Sequence, residues 1–277
     1  MTEEEKIKKH YLLERKLADQ IRNSDPKDRK QIVGNAYRTL YEEIPWHISR
    51  NKSDEEYARE AEFYLSFLRP LLRPNADVLE LGCGSGKMLQ YVSPLVASVT
   101  GLDVTVAKSI KSFLPNVHLV ESDVASFALD NQQFDLIYSL HLIEHLHPDE
   151  VDEHIHCMYS HLKPGGKIFI VTPHGLTGPH DISKYFDDYP TGFHMKEYMY
   201  WDLAALLQKG GFKKINTQII LRRIFRLNDI LFHIGLVRVG VVTWIEKMIL
   251  MIPSRKMQKK IGSWLQLTNI YIIASKP

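Results

Sequence analysis

The stretch DVLELGCGSGKM, Asp77 to Met88, decides how this chain is read. An apolar run, Val78–Leu81, leads into three glycines within five positions, and a lysine follows. Spacing excludes two phosphate-binding turns. A P-loop needs a glycine five residues before Gly86 and a Ser or Thr after the lysine to ligate magnesium. Leu81 and Met88 stand at those positions. The dinucleotide fingerprint needs its third glycine where Lys87 stands. What remains is E-x-G-x-G-x-G, Glu80 to Gly86. Its glycines allow a sharp turn and let a bulky ligand lie against the backbone.

Outward from this turn, short apolar runs recur at Val78–Leu81, Val99–Leu102, Val117–Val120, Phe134–Ser139 and Lys167–Thr172. The segments between them are long enough for crossover helices, which predicts an α/β, doubly wound parallel sheet with helices on both faces. Lys163–Gly166 is a turn into the fifth strand, and Lys214–Ile220 and Ile270–Ala274 are two further strand candidates. Asp103 closes the second strand 21 residues past Gly82, where an acidic side chain can accept both ribose hydroxyls of an adenosine. Asp123 ends the third strand, placed to bond an adenine amino group. No pyrophosphate site is needed, so the expected ligand is an adenosine without a phosphate chain.

These residues resemble class I S-adenosylmethionine-dependent methyltransferases. VLELGCGSG is similar to that family's first motif, Gly101–Asp103 to its acidic second and Ser122–Val124 to its third. FDLIYSLHLIEHL resembles the fourth-strand motif, and LKPGGKIFIVTP the fifth. The likeness runs from about Leu68 to Phe212, with five motifs in order. It implies S-adenosyl-L-methionine as cofactor and a Rossmann-like sheet of seven strands, the last antiparallel. It also implies that Gly82, Gly84 and Gly86 pack near the methionine, that Asp103 holds the ribose, and that Asp123 with Val124 holds the adenine. Glu80 would orient the turn or reach the methionine ammonium, and Leu140 would contact the cofactor from the end of the fourth strand.

The chain has 277 residues, 44% of them hydrophobic, enough for one full core with elaborations. Residues 1–70 read as an N-terminal helical cap. Residues 71–220 with 266–277 read as the cofactor-binding domain, and 221–265 as a basic, apolar helical insert before the last strand. Capping boxes at Thr2–Glu5 and Ser53–Glu56, and Pro26 after Asp25, mark helix starts. The N-terminus lacks the apolar core of a signal peptide. The two cysteines, Cys83 and Cys157, are far apart, which suits a reducing compartment. A cytoplasmic protein is expected.

For a hydroxyl acceptor the protein must supply alignment and a base, and histidine is suited by its near-neutral pKa. The candidates are His145, then His141, with His174 third. HLIEH, His141–His145, also matches the zinc string H-x-x-E-H, but that string belongs on a helix and this one leaves a strand. The segment is nearest to the quinone-pathway O-methyltransferases, in which acidic residues and a histidine here are associated with a divalent metal. His141 stands where those enzymes tend to carry a glutamate, so no metal site is assigned, and Glu144 and His145 are left as the remaining ligand candidates. The aromatic stretch after the fifth strand, including Tyr185, Phe186, Tyr189, Phe193, His194, Tyr198 and Tyr200, is expected to wall the acceptor or to pack on the sheet edge.

Net charge is +2, yet between Arg222 and Lys260 nine basic residues face two acidic ones, Asp229 and Glu246. Apolar residues lie among them at roughly helical spacing: Leu227, Ile230, Leu231, Ile234, then Val241, Trp244, Ile245 and Met248. Such a helix can lie in an anionic bilayer surface, or serve as a lid or the face of a homodimer. The expected acceptor is a small molecule or lipid-linked, with peripheral contact at the inner membrane face through residues 222–260. A nucleic-acid methyltransferase is disfavoured, because the insert is too apolar for a phosphate track and no NPPY-like string follows the fourth strand. A cofactor-binding scaffold without catalysis is the remaining alternative.

Overall fold

The computed structural model describes residues 1–47, 52–105, 114–130, 132–220 and 233–277. Three helices open the chain: α1 (Glu3–Arg22), α2 (Pro26–Glu43) and α3 (Asp54–Leu68). Both capping boxes form. Thr2 Oγ1 accepts the Glu5 N–H at 3.2 Å while the Glu5 carboxylate accepts the Thr2 N–H at 2.7 Å, so two otherwise unpaired backbone donors are satisfied. Ser53 and Glu56 repeat the exchange at the start of α3. Pro26 sits in the first turn of α2, where its missing N–H costs nothing.

The alternating segment folds as read. Strands β1 (Asp77–Leu81), β2 (Ser98–Asp103), β3 (Val117–Glu121), β4 (Phe134–Leu140) and β5 (Leu162–Pro173) run parallel, with α4 (Lys87–Val92) after β1 and α5 (Val151–Ser160) before β5. Then come α6 (Tyr200–Lys209), which stops at Gly210-Gly211, and β6 (Lys213–Ile220). Side chains alternate across the pleat. Leu79, Leu81 and Ile137 face one apolar layer, completed by α5 and α6, while Val78, Leu136 and Tyr138 face the other, completed by α3. On that second face Phe67 stacks on Tyr271 with ring centroids 4.5 Å apart.

Among the described residues the sheet has eight strands, in the order β3-β2-β1-β4-β5-β8-β6-β7, one more than the seven expected. The insert supplies the extra one. β7 (His233–Arg238) pairs antiparallel with β6 at the sheet edge, and α7 (Val239–Leu250) and α8 (Arg255–Trp264) follow before β8 (Asn269–Ser275). Ile234, expected on a helical face, therefore lies in a strand. A short apolar run does not separate strand from helix by periodicity, and the open edge of β6 decides it. Arg222, Arg223, Arg226, Leu227, Asp229, Ile230 and Leu231 lie outside the described residues. β8 is antiparallel to both β5 and β6.

The cap has its own apolar cluster, Leu17, Ile21, Ala36, Leu40 and Ile44, into which Phe193 of the β5–α6 connection inserts. Arg22 ties the same parts together, donating to the carbonyls of Thr191 at 3.0 Å and Gly192 at 2.8 Å. Helices α1 and α2 are thereby held over the C-terminal ends of β1 and β4, where strand order reverses and open α/β sheets bind ligands. No described helix is long and apolar enough to cross a membrane.

Candidate active site

The glycine turn after β1 closes on β2. Gly82 and Cys83 donate to the Leu102 carbonyl at 2.8 and 3.2 Å, and Gly84 donates to Asp103 Oδ2 at 2.8 Å. Gly82, Gly84 and Gly86 have φ of 73°, 51° and 67°, a left-handed conformation that glycine adopts at little cost. A Cβ at Gly82 would also stand 3.0 Å from Leu142. A cavity of about 680 Å³ lies along this turn, bounded by Gly82, Gly84, Asp103, Asp123, Val124 and Leu142. Gly86 is outside it and caps α4.

Asp103 does two things at this wall. Its Oδ2 buttresses the turn through Gly84, and its Oδ1 accepts the Thr105 N–H at 3.0 Å. Burial raises its pKa above the usual carboxylate range, only partly offset by those backbone donors. Glu80 does not reach the cavity. It is buried beneath the turn, where Tyr138 Oη donates to its Oε2 at 2.8 Å. Burial pushes its pKa up to about 8, against the pull of that hydrogen bond. Of its two expected roles, orienting the turn is the one this position permits directly.

A second cavity of about 340 Å³ adjoins the first, and the two share Tyr57, Ser85 and His141; Leu140 lines the smaller. His141 is held in an unusual way. Its φ is +56°, a strained value for a residue with a Cβ. Tyr64 Oη is hydrogen-bonded to its Nε2 at 2.8 Å, and its Nδ1 faces Glu144 Oε1 at 3.3 Å. Glu144 is fully buried and also accepts from Thr172 Oγ1 at 2.9 Å. Burial alone would raise its pKa, yet the His141 hydrogen bond and the nearby His145 and His194 together bring it down to about 2. A carboxylate that holds one imidazole nitrogen leaves the other able to accept a proton, the arrangement of a histidine base with its orienting acid.

His145 lines the larger cavity, with its Nδ1 donating to the Phe193 carbonyl at 3.1 Å. Burial, then the charge of His194, lowers its pKa. His174 is not part of the site. It is sealed in the core with Nε2 2.8 Å from Glu246 Oε1 on α7, so the third candidate base is a packing residue.

Nor does the aromatic connection line either cavity directly. Tyr198 and Tyr200 are buried in the core, Tyr185 and Tyr189 are exposed, and Phe186 stacks on Tyr11 at 4.2 Å. Its contribution is indirect, through Phe193 and His194 behind His145. The aromatic walls come instead from the cap: Tyr37 and Tyr41 on α2, Tyr57 and Tyr64 on α3. Their spacings, four and seven residues, put each pair on one helical face. That much is visible in the sequence; which face covers the cleft is not.

Glu144, His145 and His194 come together with ligand atoms within 4.8 Å of one another. One carboxylate and two imidazoles could in principle hold a divalent ion. The carboxylate, however, has Oε2 engaged by Thr172, and its Oε1 lies 3.3 Å from His141 Nδ1, both groups outside that set. The cluster fits a buried histidine–carboxylate hydrogen-bonding group better than an ion.

A family model described as a methyltransferase domain matches residues 53–217. The mitochondrial ubiquinone biosynthesis O-methyltransferase of Mus musculus is 33% identical over 105 residues, 34% of this chain and 28% of that protein. The Dictyostelium discoideum protein of the same name is 32% identical over 141 residues, 45% of this chain and 40% of its own length. Both relatives are thus matched over less than half their length. Among solved structures, a Burkholderia thailandensis 1,6-didemethyltoxoflavin-N1-methyltransferase superposes with a TM-score of 0.57 at 17% identity, covering 91% of each chain. A SAM-dependent methyltransferase from Archaeoglobus fulgidus gives 0.51 at 22% identity, covering 78% of this chain and 94% of that one. At these identities the likeness is one of fold.

Proposed function

The chain belongs to the methyltransferase-domain family and is S-adenosylmethionine-dependent; from that premise we propose that it methylates a hydroxyl on a small or lipid-linked acceptor, with His141 as base. The observation that carries this reading is the Tyr64–His141–Glu144 chain at the junction of the two cavities. The residues present fit the cofactor, since a cavity of about 680 Å³ runs along glycines that keep side chains out of it, with Asp103 and Asp123 in its wall. When bound, S-adenosylmethionine supplies a methyl group on a sulfonium, open to in-line displacement.

The chain's own residues then divide the work. Asp103 accepts the ribose hydroxyls, and Asp123 with Val124 meets the adenine. Glu144 holds the His141 Nδ1–H, so that Nε2 carries the lone pair. The acceptor hydroxyl takes the place of the Tyr64 hydroxyl at Nε2 and loses its proton there as the new bond forms. The cap tyrosines shield the junction from water. We read residues 1–70 as this cap, 71–220 with 266–277 as the cofactor domain, and the remainder as a separate docking element.

The test is calorimetry with S-adenosylmethionine together with an assay for adenosylhomocysteine release over a panel of phenolic and polyprenylated hydroxyl acceptors. Binding with turnover on a hydroxyl supports the proposal. Binding without turnover on any acceptor favours the scaffold reading.

The lipid-linked option rests on the insert. α7 buries Val242, Glu246 and Ile249 and exposes Val241, Trp244 and Met248 along one side, Trp244 at 65%. α8 exposes Met257 and Trp264 among Lys256 and Lys260. Exposed tryptophan and methionine flanked by lysines suit the interface of an anionic bilayer. Salt-sensitive co-sedimentation with vesicles containing phosphatidylglycerol, weakened by Trp244→Ala, supports this. Salt-insensitive self-association with no vesicle binding would assign the face to a homodimer.

A further inference from the structure

We propose that the N-terminal cap holds a divalent transition-metal ion of the zinc type on His10, Glu14 and His47, a site separate from the methyl-transfer cleft. His10 and Glu14 lie one turn apart on α1, with His10 Nε2 2.8 Å from Glu14 Oε2. His47 arrives from the segment after α2, its ring 5.0 Å from that of His10 in an edge-to-face arrangement. One ligand atom from each of the three lies within 4.8 Å of the other two. A tetrahedral ion with bonds of about 2.0–2.1 Å holds its ligands roughly 3.4 Å apart.

The donor set is the same as in the Glu144 cluster, so the surroundings favour an ion here. Two neutral imidazoles and one carboxylate suit zinc-like metals and leave a coordination position for water. Glu14 is buried, but its oxygens are engaged differently from those of Glu144. Among the described residues Oε2 meets only His10, itself a ligand, while Oε1 accepts the Phe193 N–H at 2.9 Å. A ligating carboxylate whose second oxygen is fixed by a backbone donor is the usual outer-shell support of a metal site. The His47 ring is backed by Tyr41 at 5.4 Å. The neighbouring cation, Lys9, is drawn away to Glu43, whose carbonyl and carboxylate it meets at 3.2 and 3.4 Å. His10 and His47 are partly exposed, which gives the ion a path in.

Such an ion would join α1 to the α2–α3 connection and, through Glu14 and Phe193, to the loop that holds His145 and His194. Its role would be to clamp the cap onto the cleft. It takes no part in the proton transfer assigned to His141.

The full chain is titrated with Co²⁺, read by visible absorption, and with Zn²⁺, read by calorimetry and thermal melting. One equivalent is expected to give tetrahedral-type Co²⁺ absorption and a Zn²⁺-dependent rise in Tm. His47→Ala and His10→Ala should each weaken binding at least about 100-fold and abolish the Zn²⁺-dependent rise in Tm measured against each variant's own metal-free melt. His194→Gln, in the other histidine cluster, should bind as the parent does. Absorption and stoichiometry unaffected by His10→Ala and His47→Ala, or abolished by His194→Gln, would overturn the assignment.

Discussion

Glu246 Oε1 on α7 lies 2.8 Å from His174 Nε2 at the end of β5, with both side chains sealed from solvent. The same carboxylate accepts the backbone N–H groups of Tyr200 at 2.7 Å and Trp201 at 3.3 Å, capping the start of α6. One residue of the insert therefore joins three elements of the core. Whatever face the insert shows outward, α7 is bolted to the sheet and is not a hinged lid. Removing one partner from a buried pair leaves the other uncompensated, at about 3–5 kcal/mol. Glu246→Ala should lose stability on that scale in urea melts, whereas Lys247→Ala, exposed on the next position, should change it by less than about 0.5 kcal/mol. Equal effects would mean that the buried pair contributes nothing specific.

Asp103 joins the glycine turn to the expected ribose site, so its two substitutions should separate. Asp103→Ala removes both the charge and the acceptor for the Gly84 N–H. Hydrogen bonds to a charged group contribute about 1.5–3 kcal/mol, so affinity for adenosylhomocysteine should fall about 10- to 100-fold by calorimetry. Asp103→Asn keeps an acceptor for Gly84 and should retain the parent's melting temperature while still losing affinity. Unchanged affinity in the alanine variant would remove Asp103 from the cofactor site.

What the sequence disclosed follows from how local the signals are. The seven strands read as apolar runs all form, with boundaries within a few residues; the central ones, β1, β2, β4, β5 and β8, are buried on both faces and leave a continuous apolar signature. β5 starts earliest relative to expectation, at Leu162, since its first residues pair with β4 before Gly165 turns at φ +77°. That Gly82, Asp103 and Asp123 would line one cavity was legible for the same reason, since all three sit at strand ends. The acceptor side was not. Tyr37 reaches the cleft because Leu40 and Phe193 pack α2 onto the β5–α6 connection, a contact between segments more than 150 residues apart, and Tyr64 because α3 lies on the far face of the sheet. His174 misled because it follows a strand end, where catalytic groups gather, yet it faces an insert whose packing nothing local announces.

The roles of His141 and His145 divide on kinetics. His141→Ala should lower kcat by about 10²–10⁴-fold, the range general-base catalysis commonly covers, with little change in cofactor affinity. His145→Ala breaks a bond to the Phe193 carbonyl and should act more through KM, by loosening the loop behind it. Glu144→Gln should lower kcat as well, because the amide no longer orients the His141 ring as the carboxylate does. If His145→Ala caused the larger fall in kcat with its KM intact, the base assignment would move to His145.

Glu80 provides a test of the turn that needs no acceptor. Its carboxyl is raised to about 8 by burial, above the reference value of 4.5. Between those two values the folded chain holds a proton that the unfolded chain has released. Stability from this group is therefore present below the lower value and is lost as pH rises toward the upper one. The contribution to the slope is at most about 1.4 kcal/mol per pH unit. Glu80→Gln keeps a neutral group of the same shape and cannot titrate. The difference in unfolding free energy between parent and variant, followed from pH 5 to pH 8, should move steadily in favour of the variant. A cationic cofactor beside the turn favours the ionised carboxylate, so its binding at pH 7 should release a proton. Calorimetry in two buffers of different ionisation enthalpy would show that release in the parent and not in the variant. Parallel stability curves, with no buffer dependence in either protein, would mean that Glu80 is already ionised beneath the turn and that burial does not control it.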